Sequence, residues 1–190
     1  VPAQSDKTFA NVSPRNGAII NKVAELDAGD VDAAVAAARR AFDDGTWRKL
    51  HYRQKKKILF KFADLMERDA EQLALLESLD VGKPIKDALA VDIPGSIKTL
   101  RYYAEALDKV YGEVGPETTD RISFAVHEPL GVIGVIVPWN FPLLMAMWKV
   151  GPALAMGNSI VLKPAEQSPL TALKMGELAL EAGLPPGVLN

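Results

Sequence analysis

The sequence predicts an α/β fold in which a helical N-terminal region leads into a doubly wound parallel sheet, incomplete at the C-terminus. Three observations carry this reading. Val132–Val137 is a continuous apolar run, the pattern of a parallel strand covered on both faces. It passes through Pro138-Trp139-Asn140 straight into an apolar helical segment, about Phe141–Ala155, which closes at Gly157 ahead of a second strand, Ser159–Leu162. A further helix ends at Gly183, and Val188-Leu189-Asn190 reads as a third strand just begun. The order is βαβα with an unfinished β, the grammar of a doubly wound sheet.

The remaining elements follow from spacing and punctuation. Phe9–Ile20 contains Ser13-Pro14-Arg15-Asn16-Gly17, a turn signal between two short strands. Asp30 reads as an N-cap, Val31, Val35, Ala38 and Phe42 follow at helical spacing, and Asp43-Asp44-Gly45 ends the run. From about Arg53, the residues Ile58, Leu59, Phe62, Leu65 and Met66 make one apolar helix face. Leu73, Leu76 and Leu79 mark a short helix that Gly82-Lys83-Pro84 breaks. A longer helix follows Pro94, with Ile97, Leu100, Ala104, Leu107 and Val110 inward, to near Gly112. After Gly115-Pro116 the character changes, and Ile122–His127 alternates like a half-buried strand. Ser168 reads as the N-cap of the last helix, with Pro169 at its first position.

Composition narrows the function. The chain has 190 residues, 48% hydrophobic and 24% charged, and 22 basic against 24 acidic residues leave a net charge of −2. Nothing electrostatic points to nucleic acid or an anionic membrane as partner. No apolar run reaches the roughly 18 residues of a membrane span, and Val1–Ser5 lacks the basic start and apolar core of a signal peptide. There is no cysteine, which excludes disulfides, thiolate metal sites and a cysteine nucleophile within this chain. That composition fits a reducing compartment, and a cytoplasmic location is expected. His51 and His127 lie too far apart in sequence to suggest a His-rich metal site. A first residue other than Met, with two central strands whose sheet edge would lie bare, suggests a piece of a longer protein.

Chemistry is expected at the strand ends, because open α/β sheets bind ligands at the carboxyl ends of their strands. Asn140 sits there after the first parallel strand. It either caps the following helix, which Pro142 in the first turn supports, or aims its amide at a developing oxyanion, and one residue can do both. Phe141, Leu144, Met145 and Trp148 share a helix face, which is either a core stripe or the wall of an apolar channel beside Asn140. Lys149 either reaches solvent with its stem packed or lies near a catalytic centre. Lys163 and Glu166 follow the second strand, where a dinucleotide-binding fold places a carboxylate on the adenosine ribose. Otherwise they are solvated loop residues. A carboxylate there favours NAD over NADP, whose extra phosphate it repels. No GxGxxG follows Val132–Val137, so a pyrophosphate would be held differently. Lys55-Lys56-Lys57, the Tyr102-Tyr103 pair and Leu79–Pro84 read as a solvated face, helix packing and a helix end.

The stretch VPWNFPLLMAMWKVGPALAMGNSIVLKPAEQSPLTAL closely resembles the aldehyde dehydrogenase superfamily, and LDVGKP, HEPLGVIGVIVPWNFP and EAGLPPGVLN fit it too. The resemblance covers essentially the whole chain. Within the superfamily, LALLESLDVGKPI, DIPG and AEALDKVYGEV are most like the γ-glutamyl-γ-aminobutyraldehyde or broad-substrate NAD(P)-dependent group. It implies a Rossmann-like cofactor domain, in part, over residues 1–117 and 131–190, and an oligomerisation arm over 118–130 that pairs subunits into a homodimer or homotetramer. Asn140 is similar to the family's oxyanion-hole amide, and Lys149 to a helix lysine placed in a charge relay. The resemblance implies that the backbone of Ile136, Val137, Pro138 and Trp139 lines NAD, or NADP, while Lys163 and Glu166 hold the adenosine ribose and Pro164 and Ala165 between them also belong to the cofactor site. Phe141, Leu144, Met145 and Trp148 match the family's substrate-tunnel face. Asn11, Asp92 and Gln167 correspond to a monovalent-cation site, with Asn11 where threonine is more usual.

The family's mechanism needs a cysteine thiolate that attacks the aldehyde, hydride transfer to nicotinamide and a glutamate-activated water. The motifs carrying these groups and the pyrophosphate turn are absent here, so the catalytic domain is missing and the chain alone is expected to be inactive. The expected parent is an NAD(P)-dependent aldehyde dehydrogenase that oxidises an aldehyde to its carboxylic acid. The alternatives are a truncated, non-catalytic paralogue serving as a nucleotide-binding or structural module, and an acylating or semialdehyde-phosphate dehydrogenase on the same scaffold.

Overall fold

The computed structural model describes residues 3–116 and 118–190; residues 1, 2 and 117, which the expected domain bounds include, lie outside the described residues. Strands β1 (Thr8–Val12) and β2 (Ile19–Ala24) form the expected hairpin, antiparallel with an irregularity between Asn11 and Val12. Helices α1 (Ala28–Asp44), α2 (Tyr52–Arg68) and α3 (Ala70–Val81) follow. A continuous helical rod comes next. It begins as α4 (Ile85–Asp87), widens to a π turn over Ala88–Asp92 and continues as α5 (Ile93–Ala106). Pro94 explains the wide turn: it has no N–H to donate, and its ring crowds the carbonyl four residues back. Next comes the short hairpin β3 (Glu113–Val114) and β4 (Phe124–Ala125). The chain ends as β5 (Val132–Ile136), α6 (Pro142–Ala155), β6 (Ser159–Lys163) and α7 (Leu170–Ala182).

The βαβα tail is present as expected. β5 and β6 are parallel, with Val132 opposite Ser159 and Ile136 opposite Lys163. The third strand is begun: Ile160 N–H donates to Val188 O at 2.8 Å, Asn190 N–H to Ile160 O at 3.0 Å, and Leu162 N–H to Asn190 O at 2.8 Å. β6 therefore lies central, with β5 on one side and residues 188–190 on the other. One core runs from α2 through α5 and α6 to the sheet, and includes Leu59, Phe62, Leu100, Met147, Leu154, Ile160 and Met175. Trp47, 1% exposed, ties the N-terminal helices to this unit: its indole N–H donates to Leu154 O at 2.9 Å.

Several local expectations are corrected. The N-cap of α1 is Asp27, whose carboxylate accepts the Gly29 and Asp30 N–H groups, while Asp30 returns the bond as the third residue of a capping box. Val31 and Val35 are exposed, and only Ala38, Ala41 and Phe42 of α1 are buried, because only the second half of the helix meets the sheet. On α3 the buried face is Leu73, Ala74, Glu77 and Asp80, while Leu76 and Leu79 are half-buried. Val110 lies beyond the end of α5 and is exposed. Of Ile122–His127 only Phe124–Ala125 is strand, and Ile122, Phe124 and Val126 are all exposed. Ser168 does not cap α7. Pro169 occupies the cap position with no side-chain cap of its own, and the Leu170 N–H instead donates to Asp80 Oδ2 at 2.8 Å.

Candidate functional site

The carboxyl ends of β5 and β6 stand side by side, joined beyond the last register pair by Val137 N–H donating to Lys163 O at 3.2 Å. Ile136, Val137, Pro138 and Trp139 leave one strand at this point, and Lys163, Pro164, Ala165 and Glu166 leave the other. Ile136 is 80% exposed and Trp139 is exposed, whereas Val137 and Ala165 are buried and anchor the two turns. Lys163 and Glu166 form an exposed ion pair across the second turn. That hydrogen bond from Lys163 holds the Glu166 carboxyl below its ordinary range, so Glu166 is anionic at neutral pH.

Asn140 is exposed and is not the cap of α6. Phe141 occupies the cap position, and no neighbouring side chain caps the helix. The N–H of Leu143 donates instead to Glu77 Oε1 at 2.9 Å, across from α3. Two buried carboxylates one turn apart on α3 thus serve both sheet helices: Glu77 takes a first-turn N–H of α6, and Asp80 takes one of α7. Since Glu77 does the capping, the Asn140 carboxamide is not needed by α6, and it makes no hydrogen bond among the described residues.

The electrostatics around Glu77 are unusual for a helix cap. Its side chain is wholly buried, and Oε2 has no hydrogen-bond partner among the described residues. Burial pushes its pKa up from 4.5 to about 7; the Leu143 N–H and Lys83 act against this, while Asp92 and Asp80 add to it. Asp80 is also shifted up by burial, opposed by the Asn11 amide and the Leu170 N–H.

Phe141, Leu144, Met145 and Trp148 are not the core stripe of α6. That role belongs to Leu143, Ala146, Met147, Val150 and Leu154, all buried, and the first four remain exposed or half-buried. Lys149 lies about 10 Å along α6 from its start at Pro142, at roughly 1.5 Å per residue, beside Ile136 and Trp148 in a groove of about 550 Å³ against β5. The side chains of Asn11, Asp92 and Gln167 make no hydrogen bond to one another among the described residues. The carboxylate opposite Asn11 is Asp80, with the Asn11 amide donating at 2.8 Å; Asp92 is paired with Lys83 at 2.6 Å; Gln167 is exposed. Among the described residues no group of three histidine or acidic side chains is arranged to hold a metal ion.

Glu77, Asp80 and Lys83 escaped the reading of the sequence. The signal present was faint: two acids at i and i+3, falling on the same stripe as Leu73 and Ala74.

The parallel pair, its begun third strand and the turns at its carboxyl end define a doubly wound, Rossmann-like α/β unit. The chain belongs to the aldehyde dehydrogenase family, whose model it matches over residues 1–190. It is 53% identical to the NADP/NAD-dependent aldehyde dehydrogenase PuuC of Escherichia coli over 188 residues, 99% of this chain and 38% of that protein. Human retinal dehydrogenase 2 is 50% identical over 189 residues, 99% of this chain and 36% of that one. A crystal structure of indole-3-acetaldehyde dehydrogenase with NAD+ superimposes with a TM-score of 0.99 at 53% identity, over 100% of this chain and 38% of the other. γ-Glutamyl-γ-aminobutyraldehyde dehydrogenase from Burkholderia cenocepacia does so with a TM-score of 0.98 at 52% identity, again over 100% and 38%. The chain therefore spans somewhat more than a third of the length of these relatives. No helix among the described residues is long and apolar enough to cross a membrane.

Proposed function

We propose that this chain supplies the first part of the cofactor site and one oxyanion donor of an NAD(P)-dependent aldehyde dehydrogenase, acting on an aldehyde in the cytoplasm. The observation that carries the reading is Asn140 itself, exposed past the end of β5 with α6 capped from elsewhere, while the Lys163–Glu166 turn leaves the neighbouring strand β6. Side-chain N–H of Asn140 is suited to donate to the carbonyl oxygen as it gains charge, and the turn that carries it is rigidly held. The exposed Phe141, Leu144, Met145 and Trp148 would give an apolar aldehyde its contact surface. Lys149, further along the same helix, is assigned a supporting electrostatic role.

The residues at the strand ends suit a dinucleotide. Lys163 and Glu166 offer a donor and an acceptor for two vicinal hydroxyls, and the exposed Ile136 at the end of β5 offers an apolar surface to a flat group. Bound there, NAD would supply the hydride acceptor. The exposed apolar side chains Val114, Ile122, Phe124, Val126 and Leu130 support the role of residues 118–130 and their surroundings as an arm covered by other subunits of a dimer or tetramer.

Cofactor preference tests the assignment of the ribose. In the complete dehydrogenase, Glu166→Gln removes the charge that would face a 2′-phosphate. The ratio of kcat/KM for NADP to that for NAD should rise about tenfold or more, at roughly 1.4 kcal/mol per decade. A ratio that does not move would put the ribose elsewhere.

A further inference from the structure

We propose that Lys83 is a positioning residue for the Asn140 amide, an inference that rests on reading Asn140 as an oxyanion donor. The Gly82-Lys83-Pro84 turn lies far from Asn140 in sequence yet directly beneath it in the fold. Lys83 Nζ is 2.6 Å from Asp92 Oδ1, 3.3 Å from the backbone carbonyl oxygen of Asn140, to which it donates, and 3.8 Å from the centre of the Phe141 ring. Asp92 is 1% exposed, and the Lys83 side chain is itself largely buried, so this is a fixed pair and not a solvated surface contact.

The geometry of the turn explains why a lysine reaches this point. Gly82 ends α3 in the left-handed region, φ 71°, and a Cβ there would also meet Pro14 Cγ at 3.1 Å. Pro84 opens α4 immediately afterwards, which leaves Lys83 held between two constrained residues. Its partner Asp92 closes the π turn, where Ser96 Oγ donates to the Asp92 carbonyl at 2.7 Å. The segment Asn140–Leu143 is then gripped at three places: the Asn140 carbonyl and Phe141 ring by Lys83, and the Leu143 N–H by Glu77. Asn140 is too exposed to be oriented by packing of its own. Fixing the peptide that follows its Cα fixes the direction in which the carboxamide leaves the backbone. An oxyanion donor displaced by even 1 Å loses much of its effect.

A double-mutant cycle in the complete dehydrogenase, Lys83→Met with Asn140→Ala, separates this from a general loss of stability. Lys83→Met is expected to lower kcat about tenfold while the KM for NAD stays within twofold, and to change kcat by less than about twofold when Asn140 is already alanine. Equal effects of Lys83→Met in both backgrounds, or a KM for NAD that rises in parallel, would overturn the positioning role. An Asn140→Ala variant with unchanged kcat would instead overturn the underlying reading of Asn140. If Lys83→Met does not fold, Lys83→Gln, which keeps the stem and a neutral donor, is read in the same cycle with the same two outcomes.

Discussion

Asn140→Ala, made in the complete dehydrogenase, will lower kcat by about 10²–10³-fold, the loss typical of one removed oxyanion donor. Affinity for the cofactor will change little, because the Lys163–Glu166 turn is built on the other strand. Thermal stability will also hold, within about 0.5 kcal/mol as for surface positions generally, because Glu77 and not Asn140 satisfies the first turn of α6. This pairing of a large kinetic loss with an unchanged melting transition is the diagnostic. A variant that melts early with kcat intact would make Asn140 a structural residue. Steady-state kinetics and calorimetry on one preparation distinguish the two outcomes.

Glu77→Gln will change how stability depends on pH. The folded-state pKa of Glu77 is about 7 against an ordinary 4.5, raised mainly by burial. Between those values the folded protein keeps a proton that the unfolded chain has released. Stability must therefore fall as pH rises through this window, and the penalty is fully present above it. A shift of this size corresponds to roughly 3 kcal/mol. Glutamine keeps an oxygen to accept the Leu143 N–H and cannot ionise, so the variant should lose this part of the slope. Chemical denaturation at pH 5 and pH 8 checks it: the difference between the two pH values should be smaller in Glu77→Gln than in the parent by an amount of that order. Equal slopes would show that Glu77 is ionised in the folded state throughout.

The parts of the fold that could be read from the sequence are those governed by local pattern. Val132–Val137 and Ser159–Leu162 declared themselves as apolar runs, and the structure ends these strands within a residue of the expected limits. Gly45, Gly82 and Gly183 each end a helix in the left-handed region, where the sequence placed the stops. What was not legible is what the tertiary structure supplies. Glu77 reaches Leu143 across 66 residues, and Asp80 reaches Leu170 across 90. A cap delivered over such a distance leaves no motif beside the helix it caps, so Ser168 and Asn140 stood in as local candidates. Likewise the stripe Phe141, Leu144, Met145, Trp148 and the stripe Leu143, Ala146, Met147, Val150 are equally apolar. Periodicity cannot say which one faces the core; only the position of α5 and the sheet decides that. The partners of Asn11 and Asp92 were hidden for a related reason, because α3 presents Asp80 to Asn11 while the π turn presents Asp92 to Lys83.

The paired ends of β5 and β6 are the proposed seat of the dinucleotide, with the Asn140 amide proposed for its nicotinamide end. The most direct measurement is a crystal structure of the complete dehydrogenase with NAD+. The expected result is the adenosine ribose within hydrogen-bonding distance of Lys163 and Glu166, the cofactor lying along Ile136–Trp139, and the Asn140 carboxamide facing the nicotinamide end. A ribose bound away from the Lys163–Glu166 turn, or an Asn140 side chain turned into the protein as a helix cap, would contradict it.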